Sequence, residues 1–308
     1  MNKHIKVLFL ITILMNLCFS CNYVSDLVDP NNNSTTTNTP VTIQYAYIVQ
    51  STKVTVCSIN SGSFSNCQST GNYTYTNATD IAINNNVAYI VDYTLNQIIS
   101  CSISNNIFSN CGNSGATGLN NPSGILIIGN YAFITNSGGG AGTTVSSCSV
   151  NGQILSGCTT TAGFNGPVGI HISGDQAYIA NNNTNNVRVC VFDGLNFSSC
   201  SNTGSSLNNP LGMIVYNGFA YISNQSTSAI TICTVTSGSP VNSLTGCAFF
   251  GLGAFGGTSA FAINLNYFYY VSNTATVNVC TILSNGNLSN CTNSGATGYS
   301  SPGSIRIY

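Results

Sequence analysis

The chain has 308 residues, with only five basic and six acidic side chains, a formal net charge of −1 and 43% hydrophobic content. That apolar content excludes a disordered polyelectrolyte, and with no basic stripe nucleic acid lacks its usual electrostatic footing as a partner. No glutamate and no tryptophan occur, and Asn, Ser, Thr and Gly supply the polar surface instead of charges.

Residues 1–20 read as an export signal. Lys3 and Lys6 form a basic start, Val7 to Leu17 an apolar core, and Ser20 is a small residue before a cut. The apolar run is short for a membrane span, which needs about 20 residues. The next stretch, "LCFSC", resembles a bacterial lipobox, which implies lipidation of Cys21 as the mature N-terminus. Cys18 stands where that pattern carries an aliphatic residue, with Leu17 one step further out, and plain cleavage after Ser20 is the alternative. Residues 21–40 include "NNNSTTTNTP", an uncharged stretch suited to a solvated tether. The expected location is the bacterial cell envelope, held to the membrane through Cys21, or the secreted fraction.

From residue 41 to 308 the chain repeats itself. "NSGATGLNNPSGI" at Asn113 to Ile125 returns as "NSGATGYSSPGSI" at Asn293 to Ile305. Twelve cysteines fall into six pairs: Cys57/Cys67, Cys101/Cys111, Cys148/Cys158, Cys190/Cys200, Cys233/Cys247 and Cys280/Cys291. Their first members recur every 42 to 47 residues, the mark of a repeat architecture. In phase with them come a "P-x-G-I" strand and a second apolar strand ending in "YIxN". A third strand enters the first Cys and a fourth leads to the second. Most of these strands read as four to six residues long. "VNGQ" and "FDGL" are hairpin signals. Four short strands per unit argue for a β-propeller.

"FITN", "YIAN", "YISN" and "YVSN" resemble the YVTN family of propeller repeats, and the "P-x-G-I" strand resembles the NHL repeat. The six Cys pairs and six "YIxN" strands give six blades. The first unit lacks its "GIxI" strand and the chain ends on one, "SIRIY", so the C-terminal strand is expected to complete the first blade. A transmembrane β-barrel would need alternating strands of about 9 to 11 residues and is the rival fold.

Each Cys pair brackets a hairpin, so six disulfides within blades are expected, in keeping with export. A spacing of ten lacks the short Cys-x-x-Cys pattern of zinc sites, and no metal or cofactor is expected. His171 and Arg306 occupy the same strand position three blades apart, hence opposite each other, as a candidate lining of the central channel; packed side chains with local partners are the alternative. Asp80 replaces the Gly before its strand and Asp92 the motif Asn. With Gln50, Asn136, Asn181, Asn224 and Asn273, Asp92 forms a ring at the ends of the "YIxN" strands. That ring either holds turns or, with Asp80, forms a ligand face for a cation or a polyhydroxylated molecule. "NSGGGAG" at Asn136 to Gly142 is a loop insertion and no P-loop.

These features favour a non-enzymatic, monomeric envelope propeller that binds a protein or glycan partner through the loop face carrying that ring. A structural surface or adhesion role is one alternative. The resemblance implies another, a metal-dependent lactonase- or lyase-like enzyme, although the gluconolactonase-like family uses Glu among its ligands and this chain has none. In that case Asp80, Asp92 and His171 would carry the chemistry.

Overall fold

The computed structural model describes residues 44–204, 206–227, 229–251, 260–271, 276–299 and 302–308. The signal, the tether, Cys21 and Asn273 lie outside them. Six four-stranded antiparallel sheets are arranged as a β-propeller.

Blade 1 contains β1 (Gln44–Gln50), β2 (Lys53–Asn60) and β3 (Ser63–Ser69). Blade 2 follows with β4 (Ala78–Asn84), β5 (Val87–Asp92), β6 (Gln97–Ser104) and β7 (Ile107–Asn113), and blade 3 with β8 (Pro122–Ile128), β9 (Tyr131–Asn136), β10 (Thr144–Asn151) and β11 (Ile154–Ala162). Blade 4 holds β12 (Pro167–Ser173), β13 (Gln176–Asn181), β14 (Asn186–Phe192) and β15 (Phe197–Thr203). Blade 5 holds β16 (Pro210–Tyr216), β17 (Phe219–Asn224), β18 (Ala229–Thr236) and β19 (Ser243–Gly251). Blade 6 holds β20 (Ala260–Asn264), β21 (Tyr267–Val271), β22 (Thr276–Ile282) and β23 (Leu288–Thr297). The last strand, β24 (Pro302–Ile307), pairs antiparallel with β1 and completes blade 1. Strands run from five to ten residues, longer than the expected four to six, because cross-strand pairing continues through the Cys positions that look like strand ends in sequence.

The first strand of each blade lies innermost, and each packs on its two neighbours around the axis, β24 between β20 and β4. This close approach explains the glycine of "P-x-G-I". A Cβ on Gly124 would meet the Val168 carbonyl oxygen at 2.4 Å, and one on Gly169 the Leu211 oxygen at 2.4 Å.

All six expected disulfides are present, each joining the third and fourth strands of its blade. Cys57 bonds Cys67 in blade 1, Cys101 bonds Cys111 in blade 2, and Cys148 bonds Cys158 in blade 3. Cys190 bonds Cys200 in blade 4, Cys233 bonds Cys247 in blade 5, and Cys280 bonds Cys291 in blade 6. The two ends of each bridge differ in depth. Cys57, Cys101, Cys148, Cys190, Cys233 and Cys280 are buried on the third strands. On the outer strands Cys67 is exposed, and Cys111, Cys158, Cys200, Cys247 and Cys291 are half-buried. These outer cysteines therefore act as staples from the outer strand into the core.

Every bridge sits at a bulge. The strand register shifts at Cys57, Cys101, Cys148, Cys190, Cys233 and Cys280. The residue before each second cysteine takes positive φ: Asn66, Asn110, Gly157, Ser199, Gly246 and Asn290. Asn, Gly and Ser tolerate that conformation, as a bulge requires. In the loop-entropy model each bridge contributes about 2–3 kcal/mol, and it fastens an outer strand that has one sheet neighbour.

Blades are joined by the aromatic residue of each second strand. Its hydroxyl reaches the outer hairpin of the following blade. Tyr47 donates to Asn106 Oδ1 at 2.8 Å, Tyr221 donates to the Gly286 carbonyl at 2.8 Å, Tyr89 donates to the Gly152 carbonyl, and Tyr178 accepts from the Asn242 amide. Phe133 packs edge-on against Phe192 and Phe197 instead, and Tyr269 stacks on Phe64, which continues the pattern from blade 6 to blade 1. Burial pushes Tyr47 and Tyr221 up to about 12, so these donors stay protonated at physiological pH.

Deleting residues 302–308 removes the inner strand of blade 1 and exposes an edge of β1. The expected outcome is loss of a single cooperative denaturant transition and concentration-dependent association. Equilibrium unfolding and size-exclusion chromatography check this, and a synthetic 302–308 peptide should restore the transition in trans.

Candidate functional site

A cavity of about 500 Å³ lies among the innermost strands and opens toward the connections that lead into them. Its inner wall carries Asp80, His171, Ser304 and Arg306 together with apolar residues such as Val168, Met213 and Phe261.

Asp80 stands on β4 where blades 3, 4 and 5 carry the inner glycines Gly124, Gly169 and Gly212. Its carboxylate ties three blades together. Oδ1 accepts from its neighbour Ile81 N at 2.8 Å and from Ser304 Oγ on β24 at 2.5 Å, and Oδ2 accepts from Ile125 N on β8 at 2.9 Å. Arg306, also on β24, brings a guanidinium nitrogen 3.6 Å from Asp80 Oδ1. Its Nε donates to the Ile81 carbonyl at 3.1 Å and a terminal nitrogen to the Ile125 carbonyl at 3.4 Å. The Asp80 and Arg306 side chains keep 17% and 34% of their surface, so both remain reachable from the cavity.

His171 occupies β12. Burial, and then the positive charge of Arg306, lower its pKa to about 4, against a hydrogen bond to the Val215 backbone that raises it. The imidazole is therefore neutral at physiological pH, with one ring nitrogen donating to the Val215 carbonyl and the other left as an acceptor.

The ring at the ends of the second strands is placed differently. Asp92, Asn136, Asn181 and Asn224 are all at least 98% buried. Asp92 accepts from Thr76 N at 2.8 Å and from Asn77 N and Leu95 N at 3.3 Å. Asn136 Oδ1 accepts from Asn120 N, Asn181 Oδ1 from Asn165 N, and Asn224 Oδ1 from Asn208 N. Gln50 Nε2 donates to Thr55 Oγ1. Asp92, Asn136, Asn181 and Asn224 thus serve the backbone of the connections into blades 2 to 5 rather than an open ligand face. The signal was present in sequence: each acceptor stands sixteen residues after its donor.

The glycine-rich loop sits on the cavity rim, where Gly139 and Gly140 join Tyr93, Ser137, Asn182 and Gln225. Gly138 N, Gly140 N and Gly142 N already donate to carbonyls at Asn120 and Ser137, so the loop offers no anion nest. Sequence reasoning missed the four rim side chains, since their positions follow the motif without departing from it.

The donor set does not fit a divalent cation. Among the described residues lining the cavity Asp80 is the one carboxylate, it accepts three hydrogen bonds, and it faces a guanidinium. Among the described residues no three His, Cys, Asp or Glu side chains cluster.

No family model matches the chain, and no curated protein matches it in sequence. Solved structures do share the fold. One is a nidogen/laminin complex, at 14% identity over 86% of this chain and 98% of that one, with a TM-score of 0.64. Another is a candidate 6-phosphogluconolactonase from Bacteroides uniformis, at 11% identity over 86% and 99%, with a TM-score of 0.62. A third is a periplasmic gluconolactonase from Pseudomonas aeruginosa, at 10% identity over 86% and 99%, with a TM-score of 0.58. Such identities establish the propeller fold; the YVTN and NHL kinship stays a resemblance of motifs. The expectation of a non-enzymatic scaffold acting through the loop face is corrected. Of the residues expected on that face, Asp92, Asn136, Asn181 and Asn224 are buried backbone caps, Asp80 lines the axial cavity with other ionisable groups, and proteins named as lactonases share the architecture.

The depressed His171 pKa has a testable sign. Between pH 6.5 and about 4 the unfolded chain binds a proton at this site that the folded chain does not. Stability from His171 is complete above pH 6.5, falls by about 3 kcal/mol as pH drops to 4, and is flat below. Urea unfolding at stepped pH, compared with His171→Gln, checks the fall. In Arg306→Met the imidazole pKa, followed by NMR, should rise toward the ordinary value without reaching it, because burial remains.

Proposed function

We propose that the chain is a metal-independent hydrolase of sugar-acid lactones, acting in the axial cavity. The observation that carries this reading is the meeting of a neutral imidazole, a guanidinium and a carboxylate on the wall of that cavity. The names of the Bacteroides and Pseudomonas neighbours support it.

The free ring nitrogen of His171 accepts a proton as a water oxygen bonds to the lactone carbonyl carbon. Arg306, with two of its five N–H groups committed to carbonyls, turns the remainder toward the oxyanion that forms. The ring C–O bond then breaks, the departing alkoxide takes the proton back from His171, and the open hydroxy acid leaves. Asp80 positions Arg306. The cavity charge is balanced, since Asp80 offsets Arg306, which suits an uncharged lactone.

The disulfides place the protein in an oxidising compartment. A lipid on Cys21 and the tether at 21–40 would hold the propeller at a membrane surface, and Cys21→Ser should then move it from the membrane to the soluble fraction.

The test is pH-stat hydrolysis of glucono-δ-lactone by the oxidised chain. Saturable hydrolysis above the spontaneous rate is expected, unchanged by EDTA, with a kcat loss of about 100-fold in His171→Gln. No acceleration over the spontaneous rate would overturn the proposal.

A further inference from the structure

Resting on the lactone reading, we infer that the ligand is glycosylated: a lactone ring seated at the inner wall and a neutral sugar attached to it, held at the rim. Two observations carry this. The cavity, at about 500 Å³, falls within the range of about 300–1,000 Å³ typical of sites that enclose drug-sized ligands and is roomy for one six-membered ring. The rim also differs in chemistry from the inner wall.

Inside stand the ionisable groups Asp80, His171 and Arg306. At the mouth stand one aromatic ring, Tyr93, with the uncharged side chains Ser137, Asn182 and Gln225. No described cation lies there to take a phosphate, whereas hydroxyls, amides and an aromatic face are the groups that recognise a neutral sugar ring.

These rim groups are held in place. Tyr93 N donates to the Asn77 carbonyl at 2.9 Å, and the Tyr93 carbonyl accepts from the Asn121 amide at 3.4 Å. Asp92 fixes the same turn by accepting from Leu95 N. Gly139 lies beside the Tyr93 hydroxyl, within ordinary van der Waals reach of it. The Asn182 amide nitrogen donates to the Pro210 carbonyl and to Gln225 Oε1. That leaves Asn182 Oδ1 as an acceptor, the Gln225 amide nitrogen as a donor and the Tyr93 hydroxyl as either.

The test is calorimetric binding of three non-reacting acids to the full oxidised chain: gluconate, gluconate 6-phosphate and cellobionate, which carries a glucosyl group on the same acid. Cellobionate is expected to bind at least tenfold tighter than gluconate, and the phosphate no tighter than gluconate. Tyr93→Ala should bring the cellobionate-to-gluconate ratio close to one, while Tyr93→Phe keeps most of it; thermal melts of both variants confirm folding. Cellobionate binding no tighter than gluconate, tightest binding by the phosphate, or no binding by any of the three would each overturn the inference. Lactone turnover is measured separately, so absent hydrolysis with a retained binding ratio overturns the hydrolase and leaves the glycan subsite standing.

Discussion

Pairing of β24 with β1 is the constraint on which the rest depends. A propeller blade covers its neighbours on both sides, so an open ring would leave an unpaired edge and two uncovered apolar faces. The C-terminal strand supplies the inner strand of blade 1 and lies against β20 and β4. It also carries Ser304 and Arg306, both of which reach Asp80 on the next blade. Among the described residues Arg306–Asp80 is the one ion pair. The strand that closes the ring therefore also completes the polar cluster on the cavity wall.

The scarcity of charge has a physical counterpart in the way backbone groups are satisfied. Each connection into a blade must hide N–H groups near the core. Asn136, Asn181 and Asn224 accept from those N–H groups, and their amide nitrogens donate onward, to Thr144 and Ser146, to Asn186, and to Thr231. An amide can do both at once, while a carboxylate only accepts. Asp92 fills the same role in blade 2 by taking three backbone donors instead. Buried amides that bridge two elements avoid the desolvation cost of a buried charge. The same logic runs between blades, where buried tyrosine hydroxyls reach turns rather than ionic partners.

The architecture was legible because it rests on periodic residues. The Cys pairs, the "YIxN" strands and the displaced "SIRIY" strand gave blade number and closure. The bulge behind each disulfide was visible only as an unremarked habit, an Asn, Gly or Ser before Cys67, Cys111, Cys158, Cys200, Cys247 and Cys291. The tyrosine clasp was hidden, because its partner is a turn some 60 residues away that is fixed by the blade-to-blade angle. Asp80 and Asp92 looked alike in sequence, two acids in one blade at one end of neighbouring strands. Only depth separates them: Asp92 is fully buried under the connection, while Asp80 keeps contact with the cavity. His171 and Arg306 stood out as polar residues at a position otherwise filled by Ala, Leu or Ile, and both line that cavity.

Six near-identical units impose six-fold similarity on the axis, and a symmetric, glycine- and isoleucine-lined channel has no chemistry. Function at such an axis must come from departures from the repeat. Here the departures are few and they converge: Asp80 in place of a glycine, His171 and Arg306 in place of aliphatic side chains, each on a different inner strand. Asp80 occupies space that its neighbours leave empty for close strand packing, and it is tolerated because Ile125 N, Ser304 Oγ and Arg306 satisfy it. Its partners come from the strands on either side, so it would stand without most of them in an incomplete ring. A chain lacking only its last strand keeps His171 and most of the cavity wall but loses the guanidinium that lowers the histidine's pKa. The pairing of β24 with β1 therefore also delivers the guanidinium to Asp80 and His171.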